Sequence, residues 1–264
     1  MDFPENTSPV LEAIRYRLDS LEQGEPQLAG PLAFYRKLLP VLRTARPLAT
    51  PLSLDLAAAQ DRLAAGRPLL LDRPVSFAPD PTRAFFRRVC EVIAEFQPST
   101  QEVSDALEND RLDLPALLAS LASGDLERID LAAETAEVSP MLLRMLLEYT
   151  LRPTLRTWAK QFEGQLDLES WQRTICPICA SPPTLAELQG PKRVRFLRCG
   201  ICGSAWPYPC LQCALCGNDD PRTQSLISAD GEEGQIYAHT CKRCRGYIKS
   251  ITSPTPPIGR PAAG

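Results

Sequence analysis

Four Cys-x-x-Cys pairs stand between Cys176 and Cys244: Cys176/Cys179, Cys199/Cys202, Cys213/Cys216 and Cys241/Cys244. They constrain the fold more than any other feature. In such a knuckle the backbone turns back sharply, so both sulfurs can reach one ion. Two knuckles supply the tetrahedral thiolate set that zinc favours, at about 2.3 Å per bond. Pairing in chain order gives Cys-x2-Cys-x19-Cys-x2-Cys and then Cys-x2-Cys-x24-Cys-x2-Cys. The first lies within the spacing of a metal site and the second is slightly longer. Sequential pairing is the expectation, because a metal ribbon closes on its own hairpin; interleaved pairing is the alternative. The expected ligands are all eight cysteines, holding two metal ions. Four sulfurs do not separate iron from zinc. Glycines inside or just after knuckles (Gly200, Gly203, Gly217) suit tight turns that need positive φ.

Disulfides and redox thiols are the competing uses of cysteine. Disulfides need an oxidising compartment. The N-terminal Met-Asp-Phe-Pro-Glu-Asn-Thr-Ser-Pro lacks the basic and apolar segments of a secretory signal. No run of about 18 apolar residues is present, so no membrane insertion is expected. The expected location is the cytoplasm, with the cysteines reduced or metallated. A thioredoxin-like pair would sit singly beside a βαβ pattern, and none is visible. Charge is divided unevenly. From Trp171 onward there are 11 Lys and Arg against 6 Asp and Glu; the rest has 18 against 26. Two divalent tetrathiolate centres would add about −4 to the C-terminal part. Neither part is then basic enough to make nucleic acid the expected partner.

The first 165 residues read as helices separated by prolines. Ser8-Pro9 opens a helix to about Gln23, and a second spans about Pro31 to Ala45, with Pro40 placed to kink or split it. A third covers Ser53 to Ala65, and Leu69 to Phe77 reads as extended loop. Asp80-Pro81 starts a fourth, whose apolar stripe includes Cys90, read as a small buried hydrophobe. Shorter helices follow at Ser99–Glu108, Leu114–Ala122 and Leu126–Glu134. Ser139-Pro140 caps the longest, which Pro153 interrupts. The fold class is thus α+β in several parts: a helical domain (1–165), a first four-cysteine metal ribbon (171–209), a second (210–252) and a Pro-rich disordered tail (253–264). Strand pairs at Leu185–Leu188 with Val194–Arg198, and Thr223–Ser228 with Gln235–Thr240, lie inside the two knuckle pairs. A polar turn at Asp230–Gly234 joins the second pair. Ribbons this small need metal ligation to fold.

Cys176-Pro177-x-Cys179-x-Ser181-x-Pro183, Arg198-Cys199-x-x-Cys202-x-x-x-Trp206 and Cys241-x-x-Cys244-x-x-Tyr247-Ile248-Lys249 resemble the knuckles of FdhE-type formate dehydrogenase accessory proteins. The resemblance covers about Leu146 to Lys249. It implies a helical N-terminal domain followed by two rubredoxin-like modules, with iron as well as zinc a candidate metal. It also implies a cytosolic maturation factor, not an enzyme, whose partner is the catalytic subunit of a formate dehydrogenase. At the position where the family usually has arginine, four residues after the tryptophan, this chain has Cys210. Cys210 reads first as a spare thiol, with alternative ligand or redox partner as the other roles.

Two other function classes fit the residues. Lys242, Arg243 and Arg245 around the last knuckle would suit a zinc-ribbon nucleic-acid binder, though offsetting thiolate charge is the plainer role. Tetrahedral sulfur with Cys210 would suit a rubredoxin-like electron carrier or thiol oxidoreductase. His239, the only histidine, is redundant as a ligand beside eight cysteines and reads as a surface or supporting residue. Trp206 and Tyr208 read as packing residues. No constellation of acid and base groups stands out, so no catalytic residue is assigned.

Overall fold

A computed structural model describes residues 9–228 and 236–253. Ser8, the turn expected at Asp230–Gly234 and the tail beyond Ser253 lie outside the described residues. Among those described, a helical N-terminal region of eight α-helices is followed by a six-stranded sheet. The helices are α1 (Pro9–Gly24), α2 (Ala29–Thr44), α3 (Leu56–Ala64), α4 (Pro79–Ala94), α5 (Thr100–Glu108), α6 (Leu114–Ser123), α7 (Leu126–Thr135) and α8 (Pro140–Gln161). Side-chain caps explain several starts. Asp55, Asp113 and Asp125 accept from the backbone N–H of Ala58, Ala116 and Arg128 at 2.7, 3.1 and 3.2 Å, each satisfying a donor that the first turn leaves free. α4 starts at Pro79, slightly before the expected Asp80-Pro81.

Neither internal proline splits its helix: α2 runs through Pro40 and α8 through Pro153. A proline in a helix interior costs about 3 kcal/mol. Each here is flanked by buried leucines, Leu38 and Leu42 in α2 and Leu151 and Leu155 in α8. Burying such side chains contributes roughly 1.5–3 kcal/mol apiece, which is enough to hold both halves of each helix together.

The chain falls into two compact units. The first takes in residues 9–49, Val75–Leu121 and Asp125–Pro153. In it α1 packs on α2, α2 on α4, and α4 on α5. Of the expected α4 stripe, Phe85, Phe86, Val89, Cys90 and Ile93 are buried, whereas Phe96, expected on it as well, lies past the helix end at Ala94 and is 39% exposed. Arg87 makes a two-pronged bond to Glu108 at 2.7 and 2.6 Å, tying α4 to α5.

The second unit holds Thr50–Pro74, Ala122–Gly124 and the described chain from Thr154 onward. Its sheet comprises β1 (Pro183–Gln189), β2 (Val194–Cys199), β3 (Ala205–Pro207), β4 (Gln224–Ser228), β5 (Ile236–Cys241) and β6 (Gly246–Ser253), in the order β3-β2-β1-β6-β5-β4. The two hairpins β1–β2 and β4–β5 are antiparallel. They become one sheet because β6 pairs antiparallel with β5 and parallel with β1, from Leu185↔Lys249 to Gln189↔Ser253. β3 is a short edge strand ending in Pro207, a residue edges tolerate because they need no further donor.

A segment from early in the chain braces this unit. Trp158 Nε1 donates to the Thr50 carbonyl and Gln161 Nε2 to that of Leu52, both at 2.9 Å. Gln60 makes two bonds to the backbone of Asp167, at 3.1 and 3.0 Å. The chain turns after α3 at Gly66, whose φ is +70° and where a Cβ would meet the Arg173 guanidinium at 2.0 Å. The Leu69 and Leu70 N–H groups then donate to the carbonyls of Pro177 and Ile178 at 2.9 and 3.0 Å. Both leucines are 0% exposed. Residues 67–73 thus form a strap over the first knuckle.

Candidate metal centres

The structure brings the eight cysteines into two quartets, Cys176/Cys179/Cys199/Cys202 and Cys213/Cys216/Cys241/Cys244. Each has all four sulfurs within 4.8 Å of one another. In the first, Cys176 and Cys202 are 3.5 Å apart, as are Cys179 and Cys199. In the second, Cys213–Cys244 is 3.8 Å and Cys216–Cys241 is 3.9 Å. A disulfide needs about 2.05 Å. Bonds of about 2.3 Å to a central ion place tetrahedral sulfurs about 3.8 Å apart. The spacing therefore fits a metal and excludes cystine.

All four knuckles share one backbone. The residue after the second cysteine is left-handed in each: Ala180 (φ 61°), Gly203 (82°), Gly217 (71°) and Arg245 (56°). In the first three, its N–H bonds back to the first cysteine's carbonyl at 3.0, 3.2 and 2.9 Å. The first cysteine's N–H then donates five residues ahead, to Ser181, Ser204 and Asn218, at 2.9, 2.9 and 2.8 Å. Cys241 pairs with Gly246 at the same separation. This wrapping also aims amides at sulfur: Ile178 N lies 3.4 Å from Cys176 Sγ, and Cys202 N 3.5 Å from Cys199 Sγ.

The surroundings of the two quartets differ. In the first, Cys176, Cys199 and Cys202 are buried and Cys179 is half-buried. Hydroxyls stand beside two of its sulfurs, Ser181 at 3.3 Å from Cys179 and Ser204 at 3.1 Å from Cys202. Burial holds the Cys176 thiol well above the ordinary range, while hydrogen bonds from Cys176, Cys179 and Cys202 push Cys199 far below it. Thiolate is the form that binds a divalent ion, so metal uptake by this quartet would release thiol protons. In the second quartet Cys213 and Cys241 are buried, but Cys216 and Cys244 are exposed. Burial pushes Cys213 up to about 12. Backbone N–H bonds, that of Cys244 foremost, lower Cys241 to about 7. The Asn218 amide lies 3.7 Å from Cys241 Sγ.

No protein-family profile matches the chain. Individual proteins do. "Protein FdhE homolog" of Aquifex aeolicus is 29% identical over 204 residues, 76% of this chain and 66% of that protein. The Edwardsiella ictaluri protein of the same name is 28% identical over 244 residues, 89% and 73% of the two chains. That of Shewanella oneidensis is 34% identical over 97 residues, 36% of this chain and 32% of its own. The crystal structure of the FdhE protein from Pseudomonas aeruginosa shares the fold, with a TM-score of 0.55 at 22% identity, covering 90% of this chain and 80% of that one. The chain is similar to FdhE proteins in sequence and in fold. Its matches span about two thirds of the Aquifex relative and a third of the Shewanella one.

The remaining candidates in this chain lie outside both quartets. Cys90 is buried in α4, and desolvation raises its thiol to about 12. Cys210 is exposed, its sulfur 3.7 Å from the Arg193 carbonyl. His239 is half-buried on β5 against the Tyr237 ring, and burial lowers its imidazole to about 4. Trp206 and Tyr208 are buried, as their packing role requires. Trp206 Nε1 donates to the Arg173 carbonyl at 3.0 Å and the Tyr208 hydroxyl to that of Cys213 at 3.3 Å. Lys242, Arg243 and Arg245 are exposed around the last knuckle. No described helix is long and apolar enough to cross a membrane.

Sequence reasoning quoted Ser181 only as part of a motif and missed Ser204 and Arg195. Ser181 and Ser204 each sit two residues after a second cysteine, a position that becomes informative once the knuckles are aligned with one another. Arg195, wholly buried on β2, carried no signal, because its burial depends on how the two hairpins join.

Proposed function

We propose that this chain is a non-catalytic, FdhE-type accessory protein for a formate dehydrogenase and that it binds the catalytic subunit in the cytoplasm. Cys176, Cys179, Cys199 and Cys202 hold one metal ion, and Cys213, Cys216, Cys241 and Cys244 a second, iron or zinc. The observation that carries this reading is the pair of tetrahedrally spaced quartets, within one continuous sheet, in a chain similar to proteins named FdhE. Such ions would rigidify a sheet whose hairpins are too small to fold alone. The chain's part is to present a fixed surface to the partner. The test is co-purification of the full chain with the endogenous catalytic subunit, together with formate oxidation in a deletion strain. Association and lost oxidation are expected; no association with normal oxidation overturns the proposal.

The exposure of Cys216 and Cys244 favours a second reading, electron transfer through the second centre. Anaerobically purified protein would then contain iron and show a sulfur-to-iron absorption that bleaches on reduction. Colourless protein containing zinc alone removes this reading.

A further inference from the structure

Arg195 is 1% exposed, yet no carboxylate pairs with it among the described residues. It belongs to the first hairpin, on β2 opposite Leu188. Its guanidinium donates to the carbonyls of Pro209 and Gln212, which lie in the link to the second module. Gln212 immediately precedes Cys213. The guanidinium stacks on the Tyr208 ring at 5.2 Å, and the Tyr208 hydroxyl bonds the Cys213 carbonyl. Its Nε has no partner among the described residues and, with His239 and Gln224, it lines a small cavity that Cys213 also lines. A buried charge without a counter-ion is strongly unfavourable. The acidic groups facing Arg195 are the thiols of Cys210 and Cys213 and the Tyr208 phenol, which favour its charged form against the desolvation that opposes it. Four thiolates around a divalent ion carry −2 in total.

We infer that Arg195 is a positioning residue for the second metal centre: its guanidinium is the buried counter-charge of the Cys213/Cys216/Cys241/Cys244 tetrathiolate, and it carries the fold of the first hairpin into the first knuckle of the second. The inference rests on the metal-centre reading proposed above. It makes the centres unequal partners, because the second is completed by a residue of the first module, and nothing comparable runs the other way among the described residues.

The test uses the full chain as wild type, Arg195→Met and Arg195→Lys. Zinc affinity is measured by competition with a chromophoric chelator, and the reduction potentials of the iron-loaded protein are recorded alongside. Losing a group that supports metal ligands costs 10- to 100-fold in affinity, so Arg195→Met is expected to weaken one of the two zinc sites by at least about tenfold. Arg195→Lys keeps the charge but not the planar fork or the stack on Tyr208, so it should lose less affinity than Arg195→Met and leave both potentials near those of wild type. A ferrous site carries −2 and a ferric site −1, so Arg195→Met should also lower one of the two potentials. A role in packing alone leaves the potentials unmoved and weakens both variants alike; that outcome overturns the inference, as does an Arg195→Met affinity within about twofold of wild type. Should Arg195→Met not fold, Arg195→Lys decides by its potentials, and a lowered potential there, with the charge retained, overturns the charge account. Wild-type protein that takes up a single ion refutes the metal reading of the second quartet, and this inference with it. Two ions with an indifferent Arg195→Met refute the inference alone.

Discussion

The two cysteine quartets share a knuckle backbone and differ in almost everything around it. The first is covered by the 67–73 strap and flanked by Ser181 and Ser204. The second has two cysteines in solvent and is followed by an edge strand, β4, on which Leu226 and Ile227 are 62% and 58% exposed. Identical ligands with unlike surroundings imply unlike duties. A covered site is suited to holding the fold, because metal, strap and sheet must come apart together. An open site is suited to exchange, electron transfer or contact, because the ion can be reached without unfolding anything.

The sharpest way to break this comparison is to remove one ligand from each site. Cys199→Ser should lose the first ion and unfold the second unit, since a structural zinc centre supplies on the order of 10 kcal/mol. Cys244→Ser should lose one ion and keep both the first centre and the strap. Metal stoichiometry and proteolysis of the purified variants distinguish the two. Equal damage from both would mean that the sites are thermodynamically one.

A smaller effect should come from loosening the cover. Leu70→Ala leaves the backbone bond to Ile178 in place but empties a wholly buried position. The expected loss is about 2–5 kcal/mol by thermal melting. Metal release from the first centre should speed up until it resembles that of the second. Unchanged release would show that burial by the strap is not what separates them. In wild-type protein, excess chelator should remove the ions in two phases, the open site about tenfold faster, and hydrogen exchange should rise in β4 and β5 before β1 and β2. A single phase would contradict the contrast directly.

The cysteine spacing made both quartets legible, along with the hairpin between each pair of knuckles. Local sequence can do this because each pair of knuckles closes on its hairpin within one short stretch, residues 176–202 and 213–244. The helical stripe of α4 was legible for the same reason. What stayed hidden depends on distant partners. Nothing in Thr50–Pro74 announces that Leu69 and Leu70 will bond to Pro177 and Ile178, since an extended leucine pair between prolines reads as loop. The parallel pairing of β1 with β6 was equally silent, because either strand alone is a plausible edge. Pro40 and Pro153 acted in the opposite direction: local chemistry allowed a split, and tertiary burial of the neighbouring leucines kept both helices continuous.

The finest probe of the comparison is the one feature the quartets have in common. Ala180 and Arg245 occupy the left-handed position that Gly203 and Gly217 fill elsewhere. A residue with a Cβ pays roughly 1–2 kcal/mol there, while glycine adds about 0.5–1 kcal/mol of unfolded-state entropy. Ala180→Gly and Arg245→Gly should therefore each raise stability slightly, by up to about 1 kcal/mol. Gly203→Ala and Gly217→Ala should lower it by a similar amount. The cause would be backbone strain rather than crowding, because a Cβ at Gly203 meets nothing within 4 Å and one at Gly217 meets nothing closer than 3.8 Å. Melting of the metal-loaded chain reads all four. Matching gains at Ala180 and Arg245 mean that the open site grips its knuckle as firmly as the covered one, so that their contrast lies in the surroundings alone. A gain confined to Ala180 means that the last knuckle relaxes out of the left-handed turn in solution, and that the open centre differs in its ligand backbone as well as in its cover.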